Sequence, residues 1–100
     1  MYREDLKLEG IPVLSGNGRY VEAEAERIIK SGFEVPCRIK YKERLKANVD
    51  TGERGVKAVA IGPRYMYGLL TEWDVLYFLK GKDDELWAVA LSDLIDIKQL

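Results

Sequence analysis

Hydrophobic and polar positions are spaced in three different ways along this chain, and each spacing predicts a different element. Between residues 35 and 42 apolar and basic side chains take turns, with Cys37, Ile39 and Tyr41 pointing one way and Arg38, Lys40 and Lys42 the other. A period of two is the signature of a half-buried strand. Between 20 and 31 the period lengthens. Val21, Ala25, Ile28 and Ile29 fall at i, i+4, i+7 and i+8, which places one narrow apolar stripe on a helix. Glu22, Glu24 and Glu26 stand in its early turns and Arg27 and Lys30 in its last, as the helix dipole favours, and Gly32 follows where a helix stops. A helix this short is unstable alone and must dock on something.

The third spacing, over residues 75–97, organises the rest. Apolar runs at 75–79 and 86–91 flank a polar segment at 80–85, and a shorter run follows at 94–97. Runs of five and six residues suit buried strands, and Gly81 suits the tip of a hairpin. Elsewhere, residues 11–14 read as a short extended piece with Pro12 at an edge, and 15–18 as a turn before the helix. Asp50-Thr51-Gly52 reads as a turn, 56–61 as a strand stopped by Gly62-Pro63, and 65–70 as a strand with a bulge at Gly68. Residues 72–74 link that strand to the hairpin. Ser92-Asp93-Leu94 is a tight helical turn before a last strand at 95–98.

Together these elements predict a single domain that is mainly β with one N-terminal α-helix. The lead-in covers 1–19, the helix 20–31, and a small antiparallel barrel of the SH3/Sm type, with five or six short strands, 35–98. Both faces of the last long strands are apolar: on 86–91, Leu86, Ala88 and Ala90 oppose Trp87, Val89 and Leu91. One narrow helix stripe hides only part of that surplus. A homo-oligomer or a protein partner is therefore expected over Tyr77, Trp87 and Val89.

Composition narrows the chemistry. The chain is 47% hydrophobic and 33% charged, an ordinary globular balance, and its longest apolar run of six residues cannot span a membrane. No apolar core segment of a signal peptide is present in residues 1–9. A lone cysteine, Cys37, makes no internal disulfide and fits a reducing, cytoplasmic compartment. The absence of histidine removes the commonest general base and metal ligand, and with it any Ser–His or Cys–His pair. Cys37 sits on the apolar side of its strand, where a thiol behaves as a small hydrophobe.

The net charge of −1 hides a split. Residues 36–64 hold eight Lys and Arg against three acids, whereas 65–100 hold three Lys against seven acids. Arg38, Lys40, Lys42, Arg44 and Lys46 form a basic row, with Arg54, Lys57 and Arg64 beyond it, and Tyr65, Tyr67 and Trp73 offer stacking surfaces. Cations so placed bind phosphates by releasing counterions; the same row also reads as a solvated strand face.

Three shorter motifs point to other chemistry. Val49-Asp50-Thr51-Gly52 matches the core of an aspartic-protease motif, which needs two carboxylates sharing a proton, but its flanks are polar and Asp-Thr-Gly is equally a turn. The run from Ser15 to Arg19 before the helix offers N–H groups to a phosphate but lacks a Gly-Lys-Ser/Thr ending. Asp83-Asp84-Glu85 supplies oxygens for a divalent cation from one loop only, and a solvated hairpin tip is the plainer reading.

Ile39-Lys40-Tyr41 on a strand, the turn at Pro63, Tyr77-Phe78-Leu79, and Leu91 to Ile95 at the end of the domain resemble the layout of WYL domains over about residues 36–98. These are small Sm/SH3-like barrels with a short helical turn before the final strand. The resemblance implies a regulatory module that binds nucleic acid or a nucleotide-like ligand. Two features depart from it: three residues separate Trp73 from Tyr77, and the strand 86–91 carries no arginine. The small YolD-like proteins end in a similar pattern. The expectation is a non-enzymatic module without cofactor or metal, binding through Arg38, Lys40, Lys42, Lys57 and Arg64. The alternative is an adaptor or inhibitor acting through the apolar face around Tyr77, Trp87 and Val89.

Overall fold

A computed structural model of the chain describes residues 10–16, 18–43, 47–66 and 69–100. It contains a helix, α1 (Gly18–Lys30), followed by six strands: β1 (Val35–Tyr41), β2 (Val49–Asp50), β3 (Val56–Met66), β4 (Leu69–Lys80), β5 (Glu85–Ala90) and β6 (Leu94–Gln99). The strands form one antiparallel sheet in the order β2-β1-β3-β4-β5, and β6 returns to pair with β1. The sheet curls into a half-barrel, as the strand pattern requires. Its sequence order, with the tight turn Leu91–Asp93 leading into β6, is compatible with a small-barrel fold.

Strand β1 is the hub. Its residues alternate between buried and exposed along the whole strand, so Val35, Cys37, Ile39 and Tyr41 fill the concave side. They meet Ala58 and Ile61 of β3, Leu76 and Phe78 of β4, Val89 of β5, and Leu94 and Ile97 of β6 in the main core. The Tyr41 and Phe78 rings lie tilted at 50° with centroids 6.5 Å apart.

Helix α1 lies on the other side of the sheet. It begins two residues earlier than its apolar stripe predicts, so the acids fall in its second and third turns rather than its first. Val21 packs with Val75 and Tyr77, while Ile28 and Ile29 reach Val59, Ala60 and Leu79. Gly32, at φ 83°, ends the helix in the left-handed conformation, with its N–H bonded to the Ile29 carbonyl at 3.0 Å. Residues 11–14 are extended and take the free edge of β3: Ile61 donates its N–H to Pro12 at 2.9 Å and accepts from Leu14 at 2.7 Å.

Gly62-Pro63 does not stop the third strand, and residues 72–74 are not a link. β3 runs through the pair to Met66, and β4 runs without interruption from Leu69 to Lys80. Irregular register between Ala58 and Ala60, and again between Pro63 and Tyr65, absorbs the residue that lacks an N–H. The first irregularity also explains why four consecutive residues, Ala58 to Ile61, are all buried. Ala58 and Ile61 face the barrel core, whereas Val59 and Ala60 face α1. The expected bulge at Gly68 lies outside the described residues. No helix among those described is long and apolar enough to cross a membrane.

Candidate functional site

Of the five cations expected to bind phosphates, Arg38 and Lys40 lie on β1, Lys42 just past it, and Lys57 and Arg64 on β3. Arg38 and Lys40 project from the convex side of β1 with Lys42 just beyond it, all exposed, but acids stand among them. Arg38 donates from Nε and Nη2 to the two Asp50 oxygens at 2.9 and 2.8 Å, a fork-to-fork pair. Lys40 lies in register with Asp50 on one side and Asp96 on the other. Lys57, on β3, has its ammonium 3.4 Å from both Glu34 and Asp84, whose charges raise its pKa. Arg64 is on a different part of the molecule, near α1. Arg44, Lys46 and Tyr67 lie outside the described residues.

Asp50 is built into a turn. Besides Arg38 it accepts the Gly52 N–H at 2.9 Å, and the guanidinium first, then that backbone bond, hold its carboxyl well below the usual carboxylate range. Thr51 completes the clip, its hydroxyl accepting the Ile39 N–H at 2.9 Å and donating back to the Ile39 carbonyl at 3.3 Å. A protease aspartate would need a proton shared with a second carboxylate; this one is held as an anion by a guanidinium. Cys37 is buried, and desolvation pushes its thiol upward, away from nucleophile chemistry. At the hairpin tip Asp84 faces Lys57, and Glu85 accepts a long 3.4 Å bond from the Trp87 indole. Among the described residues no three acidic or thiol side chains gather as metal ligands would.

The apolar set fares differently. Tyr77 is 2% exposed beneath α1, and Val89 is 7% exposed inside the barrel, so neither side chain presents a broad surface to a partner. The cover missing from the strand pattern is supplied by α1 together with Leu14 of the extended lead-in. What stays open is smaller. Leu86 and Trp87 are 40% and 44% exposed at the start of β5. The Lys80 ammonium sits 4.5 Å from the centre of the Trp87 ring, a cation–π contact.

Beside them is an open groove of about 490 Å3. Glu22 and Glu26 of α1 form one wall, β5 from Leu86 to Ala88 the other, with Tyr77 and Arg64 between them. Ala88, a small residue on the helix-facing side of β5, leaves room for this groove. The Tyr77 hydroxyl donates to the Pro63 carbonyl at 2.8 Å; burial first, and Glu22 second, push its pKa up to about 12. Comparison of the chain with family models, curated proteins and solved structures returned no match. The groove at β5 joins exposed aromatic and aliphatic side chains to a cavity. Sequence reasoning singled out Trp87, counted Leu86 only within the apolar surplus of its strand, and missed Glu22 and Glu26. Their signal was present as two acids four residues apart on a helix, beside a strand whose helix-facing side is small.

Proposed function

We propose that this chain is a non-enzymatic small-barrel binding module that acts by contact with another polypeptide through the groove beside β5. The observation carrying this reading is the pairing of half-exposed Leu86 and Trp87 with a groove formed by α1 and an edge strand. Aromatic anchors at the rim of a cavity, surrounded by charge, are what protein interfaces favour. A small WYL-like barrel suits this reading, since Tyr77-Phe78-Leu79 lies on a central strand and a tight turn precedes β6. The lone buried Cys37 agrees with a reducing compartment. Binding of nucleic acid along β1 is less favoured, because Arg38 and Lys57 are already engaged by acids of their own chain.

Selection of short random peptides displayed against the folded chain tests the proposal, with a Leu86→Glu, Trp87→Glu variant as the control target. Peptides that bind the unaltered chain about tenfold more tightly than the variant are the expected outcome. No enrichment overturns it. So would retardation of a single-stranded oligonucleotide that falls steeply with salt and is abolished by Lys40→Glu with Lys42→Glu.

A further inference from the structure

The groove borders a strand whose outer side is unoccupied. β5 ends the ladder β2-β1-β3-β4-β5, and among the described residues no strand pairs with its outer edge. Half of its backbone N–H and C=O groups are therefore left to water or to an incoming strand. We infer that the groove takes an extended segment added edge-on to β5, with basic side chains on the face toward α1 and an apolar side chain on the face toward Trp87. The inference rests on the protein-contact reading above and adds the chemistry of what is bound.

The alternation of β5 sets this pattern. Leu86, Ala88 and Ala90 lie opposite Leu79, Tyr77 and Val75 on the helix side of the sheet, whereas Trp87 and Val89 lie opposite Phe78 and Leu76 on the core side. An added strand inherits the same two faces. On the helix side, the small Ala88 leaves the groove open as far as Glu22 and Glu26, one helical turn apart on its far wall. Only a long side chain reaches across from the strand edge, and two carboxylates call for a cation at its end. Arg64 lines the same groove, so the described lining holds two carboxylates against one guanidinium. On the core side Trp87 is 44% exposed, and an apolar side chain from the added strand covers it at a cross-strand position.

Three capped synthetic peptides, alternating Lys-Val, Glu-Val and Thr-Val, test this by titration into the isotope-labelled chain while its backbone amide resonances are followed. The Lys-Val peptide is expected to shift the amides of residues 85–90. Glu22→Gln with Glu26→Gln should weaken that binding about tenfold, and Ala88→Lys, which fills the groove from the strand side, should do the same. Equal binding of all three peptides at 85–90 overturns the basic preference but leaves protein contact standing. Shifts confined to other residues, or none with any peptide, overturn strand addition. If random-peptide selection also yields nothing, the broader reading falls with it.

Discussion

Tyr77 shows how one side chain can serve both the fold and its pH response. The ring is buried under α1, and its hydroxyl donates to the Pro63 carbonyl at 2.8 Å across β3 and β4. Its pKa is raised to about 12, against about 10 in an unfolded chain. A raised phenol favours the neutral folded form, so its contribution to stability is complete below about pH 10 and is lost as pH rises toward 12. Urea midpoints measured across that range should fall for the unaltered chain and fall less for Tyr77→Phe. At neutral pH the same substitution should cost about 1 kcal/mol, because the Pro63 carbonyl loses its donor. Asp50 teaches a related lesson. Its Asp-Thr-Gly context carries a catalytic association in the sequence, yet the side chain is committed to Arg38 and the Gly52 N–H, and Thr51 is committed to Ile39.

Among the elements, α1 depends most on its neighbours. Val21 is fully buried against Val75 and Tyr77, while the Glu24–Arg27 pair closes at 2.6 Å beside the buried stripe. Removing two methyl groups at Val21→Ala should cost roughly 2–3 kcal/mol, read from urea unfolding. It should also loosen Tyr77, which a faster hydrogen exchange at β4 would report. The helix and β1 were legible in the sequence because each has one face in the core and one in water, so hydropathy repeats at the element's own period. Of β3 and β4 only the stretches 56–61 and 75–79 were legible, because both faces are covered and irregular register breaks the repeat at Val59 and again past Pro63. The groove was half legible. Trp87 and Leu86 stand out as surplus apolar residues, but which of their neighbours α1 would cover depends on long-range docking that no local pattern encodes. Tyr77 and Val89 were assigned to the surface for that reason.

For the whole molecule, a tight junction lies at Gly55, between the turn Gly52–Arg54 and β3. Its backbone, at φ 60° and ψ −167°, occupies a region open only to glycine. A Cβ there would lie 2.6 Å from the Cys37 carbonyl oxygen and 2.6 Å from the Leu100 side chain. Gly55→Ala should therefore cost about 3 kcal/mol, seen as a lower urea midpoint with an unchanged slope. That one substitution presses on β1 and Leu100 together at the start of β3. If the domain unfolds as one unit, loss of signal from α1 and from the Tyr41–Phe78 core should coincide.

The return of β6 to β1 also bears on how the chain acquires its shape. Cys37 is in register with Gln99, and Ile39 with Ile97, so the hub strand waits for partners some sixty residues downstream. On the ribosome, β3, β4 and β5 can zip together through short loops as they emerge, while one edge of β1 stays bare until the closing segment has been made. Nascent chains paused before residue 94 would be the ones a chaperone holds longest.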